Sequence, residues 1–344
     1  MSLSLPRRSA EREGGPRRSA ERGGGRWLKP LGTLSLYALV FYWTDAAAIA
    51  RELAGTRLDL MALAIGIYMA GQAVSTWRWK VLLEPIHLRV AYPRLLGFYF
   101  TGMFFNLFLP TIVGGDAVKA MLLARETKAP ARSTMSVFME RNLGLCALTV
   151  VAVIAAELAP PVEVSGLSIR TLTWLLAAGY VVANVVLLSS LAYQLVDRVI
   201  AASPLARFRA RAESLYQAVV PYRTAARAVA IGIALSFVHQ AGVIAVVFLN
   251  ARALSLEVPL SAVAVFVPIV SLAGMAPISV NGLGVREALY ILLFGRLGVP
   301  AETAVSLALL YLAVTVVASL PGGVAYLMQP APARELTGGS PTDS

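Results

Sequence analysis

Phe105-Asn106-Leu107-Phe108-Leu109-Pro110-Thr111-Ile112-Val113-Gly114-Gly115-Asp116-Ala117-Val118-Lys119 is the stretch on which the reading of this chain turns. An apolar helix runs into it, a proline and two glycines break that helix, and an acid and a base follow three residues apart. Apolar sequence resumes at Ala120-Met121-Leu122-Leu123-Ala124. A second stretch echoes the first: Ala276-Pro277-Ile278-Ser279-Val280-Asn281-Gly282-Leu283-Gly284-Val285-Arg286-Glu287-Ala288. Setting Pro110 on Pro277 puts Gly115 on Gly282, Val118 on Val285 and Lys119 on Arg286. Two broken helices at corresponding places in two halves are the sequence pattern of a transporter site.

The rest of the chain fits that pattern. Of its 344 residues 58% are hydrophobic, and the mean hydropathy is +0.70, against about 45–50% apolar residues in soluble domains. Too little polar surface remains for a water-soluble globule, so we expect an all-α polytopic membrane protein. The net charge of +11 sits between apolar runs and in the N-terminal tail, which fits membrane orientation and attraction to anionic lipid and excludes a nucleic-acid-binding reading. Cys146 is the single cysteine, so no disulfide forms within the chain.

Residues 1–27 hold a tandem repeat rich in Arg, Gly, Ser and Pro, which buries too little apolar surface to fold. The expected spans are Leu28–Thr44, Leu58–Thr76, Ser133–Leu158, Leu172–Leu191, Ala228–Leu249 and Thr303–Met328. Trp77-Arg78-Trp79-Lys80 reads as an aromatic and basic interface anchor after the second span, with Arg78 snorkelling. Val196–Arg227 is basic with interspersed apolar residues and reads as a helix on the membrane surface. Between the spans lie two broken segments, Tyr92–Leu109 with Gly115–Ala124, and Val258–Ala276 with Val285–Phe294. A membrane helix needs roughly 20 apolar residues, which the returning arms lack. The tail 329–344 is polar.

Orientation follows from Lys and Arg. The N-terminal tail, the 77–94 loop, the 125–132 loop and the 196–227 segment are basic, whereas the alternate loops carry only Arg51, Arg57, Arg170, Arg252 and Arg296. The basic side is cytoplasmic, which puts both termini inside. A full crossing by Tyr92–Leu109 would leave Lys128 and Arg132 outside. A re-entrant hairpin keeps them inside. We therefore expect about six full spans and two re-entrant hairpins, in an inverted repeat with halves 28–158 and 170–328; eight full spans is the alternative.

Irregular backbone at membrane depth survives where protein or water satisfies it, so Gly114 and Gly115 could line a polar cavity and let a ligand approach the main chain. The helix start near Asp116 would favour an anion, and Lys119 and Arg286 add positive charge. Asp116 and Lys119 share a helical face and could pair, while the adjacent Glu140 and Arg141 point different ways and should pair with other segments. An ionisable group inside the membrane costs about 2.5–3.5 kcal/mol on insertion scales, so these groups point to function. The plainer reading has the breaks as kinks, Asp116 as a helix cap and the charges as a structural network. Asn106, Asn184, His239 and Gln240 could line the cavity or link helices. No phosphate-binding loop of an ATPase, no metal spacing and no cofactor motif occurs in the sequence.

Asn106-x-x-Leu109-Pro110, Gly114-Gly115-Asp116-x-x-Lys119, Glu140-Arg141-x-x-Gly144 and Pro277 with Gly282-x-Gly284-x-Arg286-Glu287 resemble the lysylphosphatidylglycerol synthase transmembrane family, also called flippase-like membrane proteins; Arg78-Trp79-x-x-Leu82-Leu83 is similar too. The likeness covers about residues 28–328, and Lys119 stands where the family usually has Arg, which keeps a cation but not a bidentate one. The resemblance implies the lipid-translocating part without an aminoacyl-transfer domain, in a bacterial or archaeal inner membrane. On this reading Asn106, Gly114, Gly115, Lys119, Gly282, Gly284 and Arg286 bind a phosphate-bearing headgroup. Asp116, Glu140, Arg141 and Glu287 form the ion-pair network that switches between states. The partners are anionic membrane lipids and the protein is no enzyme. Two rivals stay open: a membrane enzyme acting on lipid-linked substrates, and an accessory subunit of a membrane partner enzyme.

Overall fold

The computed structural model describes residues 44–109, 114–158, 163–164, 167–201, 209–274 and 282–328. The expected span 28–44, except Thr44, both tails, and the break residues 110–113 and 275–281 lie outside them. The helices are α1 (Ala46–Ala54), α2 (Leu58–Leu83), α3 (Tyr92–Asn106), α4 (Gly114–Thr127), α5 (Pro130–Leu158), α6 (Ile169–Leu188), α7 (Ser190–Ala201), α8 (Arg209–Thr224), α9 (Ala226–Ala253), α10 (Leu260–Gly274), α11 (Val285–Gly295) and α12 (Ala301–Leu327). The loop before α6 carries a two-residue antiparallel pair, β1 (Glu163–Val164) with β2 (Leu167–Ser168). The chain is thus an all-α polytopic protein, as its composition requires.

Among the described residues five helices are long and apolar enough to cross a membrane: α2, α5, α6, α9 and α12. The arms α3, α4, α10 and α11 have 15, 14, 15 and 11 residues. Even the longest rises about 22 Å, against a hydrocarbon core of about 30 Å. Exchanging α2 with α9, α3 with α10, α4 with α11 and α5 with α12 maps the packing onto itself. The α3–α4 pairing maps onto α10–α11, α4–α5 onto α11–α12 and α2–α3 onto α9–α10. Likewise α3–α12 maps onto α5–α10, α5–α9 onto α2–α12 and α2–α5 onto α9–α12, while α2 and α9 pack on each other. Each half keeps its own core, one around Trp79, Leu95, Leu123 and Leu143, the other around Val263, Phe266, Phe294 and Leu307. The pairing of matched broken segments therefore extends to the four-helix sets α2–α5 and α9–α12.

Two expectations are corrected. The second span does not stop at Thr76: α2 runs unbroken to Leu83, because Trp77-Arg78-Trp79-Lys80-Val81-Leu82-Leu83 contains no proline or glycine. The described residues of the 196–227 segment fall at the end of α7, in α8 and at the start of α9, and α8 does more than lie on a surface. Ala218, Val219 and Tyr222 on one face of it are buried in the first core, and the Tyr222 hydroxyl donates to the Leu82 carbonyl at 2.8 Å.

Candidate functional site

Helical spacing explains how charge reaches the interior. On α2, Ser75, Arg78, Trp79 and Leu82 recur at three- and four-residue steps, and all four are buried. On α4, Asp116 and Lys119 stack one turn apart on the buried face. On α5, Glu140 is buried and its neighbour Arg141 turns toward α4. These side chains form one continuous chain of ion pairs. Arg78 pairs with Glu140, Glu140 with Lys119 at 3.3 Å, Lys119 with Asp116 at 2.9 Å, and Asp116 with Arg141. Relative exposure is 4% for Arg78, 6% for Asp116, 5% for Lys119 and 2% for Glu140. Ions buried this deeply persist only when paired and hydrogen-bonded.

The cluster is not neutral. Arg78, Lys119 and Arg141 supply three positive charges, and Asp116 and Glu140 two negative ones, so the sum is +1. Aromatic rings share the excess: the Lys119 ammonium lies 4.3 Å from the Tyr99 ring centre and 5.7 Å from that of Trp79. Arg78 Nη1 donates to the Ser236 hydroxyl at 2.8 Å, and that hydroxyl donates to the Gly232 carbonyl at 2.8 Å. The buried Nε–H of Arg78 has no hydrogen-bond partner among the described residues. Gly144 makes room for the guanidinium, since a Cβ there would sit 3.4 Å from Arg78 Nη1.

All five charged groups line a cavity of about 260 Å³, together with Tyr99, His239, Gln240, Ser271 and Tyr311. Its walls come from α2–α5 of one half and α9, α10 and α12 of the other. His239 Nδ1 lies 3.1 Å from the Gly71 carbonyl and 3.1 Å from the Ser75 hydroxyl. A carbonyl only accepts, so this geometry assigns the hydrogen to Nδ1. Arg286 stays one ring away, its guanidinium 4.9 Å from the ring centre of Tyr311.

The glycines serve packing and backbone geometry. The Gly115 N–H donates to Asn106 Oδ1 at 2.7 Å, so Asn106 caps α4 and leaves that amide no opening to a ligand. A Cβ on Gly115 would strike the Gly102 carbonyl, and one on Gly114 would lie 2.6 Å from Leu109 Cβ. At Gly115 the close approach is made by α3, through Gly102 and Asn106. Gly282 and Gly284 have φ of +74° and +83°, which side-chain-bearing residues rarely adopt. The fully buried Glu287 accepts from the Gly284 N–H at 2.6 Å and caps α11. Asn184 accepts from Asn142 at 2.6 Å, a link between α5 and α6 away from the cavity.

Asp116, Lys119, Glu140 and Arg141 thus meet in one network; Arg286 borders its cavity through Tyr311; Asn106, Gly114 and Gly115 shape the α3–α4 crossing; Gly282, Gly284 and Glu287 build the start of α11. Sequence reading took Arg78 for an interface anchor and did not single out Tyr99 or Tyr311. For Arg78 the signal was available: continuing α2 through the aromatic pair places it on the Ser75 and Leu82 face. Among the described residues no group of three or more His, Cys, Asp or Glu side chains is placed to hold a metal ion.

The sequence model of the lysylphosphatidylglycerol synthase TM region matches residues 27–322. The chain belongs to this family. A search of curated proteins found no match. As a member of the lysylphosphatidylglycerol synthase TM family it is a multi-pass membrane protein of a group linked to lipid modification or flipping. Among the described residues, the motifs quoted from the sequence supply Asn106, Gly114 and Gly115 to the α3–α4 crossing, Arg78, Asp116, Lys119, Glu140 and Arg141 to the ion-pair chain, and Gly282, Gly284 and Glu287 to the start of α11.

Proposed function

We propose that the protein is a lipid transporter of the bacterial or archaeal inner membrane, carrying a phosphate-bearing headgroup through the cavity between its halves while the hydrocarbon tails stay in the bilayer. The observation that carries this reading is the buried ion-pair chain of net charge +1 on the wall of that cavity. A cavity of about 260 Å³ suits a headgroup rather than a whole lipid, since drug-sized sites run to about 300–1,000 Å³. Arg78 still has an unused N–H, and Lys119 has three donors for two carboxylate partners. An entering phosphate competes with Asp116 and Glu140 for these cations, and charge-assisted hydrogen bonds hold it. When it leaves, the carboxylates re-pair, so the cations never stand bare in a medium of low polarity.

In this reading α3–α4 and α10–α11 are re-entrant hairpins entering from opposite sides, with both termini cytoplasmic and the site near the midplane. The protein acts as a transporter rather than an enzyme. The test is purified protein in vesicles, fluorescent lipids of several headgroups, and a membrane-impermeant quencher that follows crossing. Anionic phospholipid should cross faster than a neutral lipid, and Lys119→Gln and Arg78→Gln should each slow it. Equal crossing of neutral and anionic lipids, unchanged in both variants, refutes the phosphate route. Chemical turnover of the lipid without crossing favours the enzyme.

A further inference from the structure

The helices α2 and α9 cross antiparallel with a seven-residue step. The Arg57 N–H donates to the Ala253 carbonyl at 3.0 Å. Seven residues along α2, Ala64 packs in one cluster with Val246. Seven further, the Gly71 carbonyl meets His239, and seven further again a Cβ on Gly232 would lie 3.9 Å from Arg78 Cγ. Gly71 and His239 each stand thirteen positions after the first residue of their helix. Exchanging the halves therefore turns the Ala64–Val246 pair into Arg78–Gly232 and the Gly71–His239 pair into itself. His239 sits on the pseudo-twofold axis, about 20 Å of helix from either start, at the depth where an inverted repeat places its site. Its counterpart Gly71 has no side chain, and a Cβ there would lie 3.4 Å from His239 Nδ1. One imidazole thus occupies a place that both halves share.

We infer that His239 takes up one proton with each anionic headgroup, which makes the protein a proton–lipid symporter. The inference rests on the transport reading and names the co-substrate of that site. Both hydrogen bonds of the ring use Nδ1, to Gly71 and Ser75, so Nε2 is the atom that accepts the proton. His239 shares the polar cavity with Arg78 of α2, Tyr99 of α3, Asp116 and Lys119 of α4, Glu140 and Arg141 of α5 and Tyr311 of α12, and α10 adds Ser271. Charge decides what travels together. The ion-pair chain carries +1 when the cavity is empty. A phosphodiester alone brings the site to 0, and a proton on His239 alone brings it to +2. With both aboard it stays at +1, so the empty and loaded carriers bury the same charge, and a change of buried charge is what the bilayer interior penalises. The anion offsets the charge that the proton adds beside Arg78 and Lys119, and by reciprocity the proton strengthens the hold on the anion. On the axis, the same imidazole serves the cavity whichever side is open, and water on that side supplies or receives the proton.

The experiment uses the full chain in two settings. In neutral detergent and weak buffer with a pH dye, dihexanoylphosphatidylglycerol should draw up to one proton per protein from solution, and dihexanoylphosphatidylcholine none. His239→Asn keeps a donor for the Gly71 carbonyl but no base, and should abolish the uptake; His87→Asn, at the only other histidine, should not. In phosphatidylcholine vesicles under an imposed pH gradient, a fluorescent phosphatidylglycerol should gather in the leaflet on the alkaline side. One proton per lipid sustains about a tenfold leaflet ratio per pH unit, and an imposed potassium diffusion potential should leave that ratio unchanged. Crossing with a leaflet ratio that ignores the pH gradient overturns the coupling and leaves the transport reading standing. A ratio that follows pH in His239→Asn as it does in the native chain overturns the assignment to His239. A ratio set by the electrical potential overturns the one-to-one symport. Proton uptake on lipid binding in a protein that moves no lipid keeps the linked proton site and overturns the transport reading instead.

Discussion

Replacing Glu140 by methionine removes the carboxylate that sits between two cations. In the native protein Glu140 pairs with Arg78 and, at 3.3 Å, with Lys119. Tyr99 also donates to it at 3.5 Å. Without it the cluster rises from +1 to +2, Arg78 loses its carboxylate, and only Asp116 remains to balance Lys119 and Arg141. Breaking a buried pair in this way costs about 3–5 kcal/mol, because one charge is left stranded. At roughly 2 °C per kcal/mol for a chain of this size, Glu140→Met should melt about 6–10 °C lower in detergent micelles. Adding Arg78→Met returns the cluster to +1, leaving the intact Lys119–Asp116–Arg141 unit. The double variant should therefore be more stable than Glu140→Met alone, and the cycle should give a coupling of about 0.5–3 kcal/mol. Thermal unfolding followed by a thiol-independent probe gives all four corners of the cycle. A double variant whose loss is the plain sum of the two single losses would falsify the claim that Glu140 is held in place by charge pairing.

Gly115→Ala and Gly322→Ala each put a methyl group against a backbone carbonyl of α3, Gly102 in one case and Phe100 in the other. Each should destabilise the fold by about 1–3 kcal/mol, whereas Gly179→Ala, which meets nothing within 4 Å, should not; melting curves decide. Glu287→Gln keeps an acceptor for the Gly284 N–H and should lose less stability than Glu287→Ala, which costs about 1–3 kcal/mol for the buried N–H it strands; equal losses would mean that the cap is not what Glu287 provides. Lys119→Arg should keep transport, and Lys119→Gln should weaken headgroup binding by about 1.5–3 kcal/mol, read in vesicle titrations. A cysteine at Lys128, in a Cys146-free background, should label only from the cytoplasmic side; labelling from outside intact cells refutes the re-entrant hairpin.

The all-α class, the later spans from Ser133 onward and the short paired arms were legible because each depends on local composition. A run of apolar residues, a proline and two glycines act within a few positions of themselves. The partners of Glu140 and Arg141 were legible only as a direction: adjacent residues on a helix diverge by about 100°, so they had to find different segments. Which segments they find depends on tertiary packing, and the Arg78–Glu140 pair joins residues 62 apart in sequence. Arg78 was misread because a tryptophan on either side is the usual mark of an interface, and only an unbroken α2 turns it inward. Gly115 was ambiguous for a related reason. A missing side chain admits either a ligand or a neighbouring helix, and sequence does not say which arrives; here it is α3.

The pseudo-twofold packing also exposes an asymmetry of charge. Glu140 stands ten positions after the first residue of α5, and Tyr311 stands ten positions after the first residue of α12. In one half the cation of the short arm, Lys119, meets that position as an ion pair at 3.3 Å. In the other the cation of the equivalent arm, Arg286, meets it as a ring contact at 4.9 Å. The frame is the same, but a carboxylate has been replaced by a neutral phenol. A carboxylate competes directly with a phosphate for its cation, and a tyrosine ring does so far more weakly. In an inverted repeat, exchanging the roles of the two halves exchanges the side on which the cavity opens. A headgroup passing from the Lys119 arm to the Arg286 arm would leave a cation with a strong resident partner for one with a weak partner. The two open states would then hold the same headgroup unequally, a built-in bias that a symmetric pair of ion-paired arms would lack.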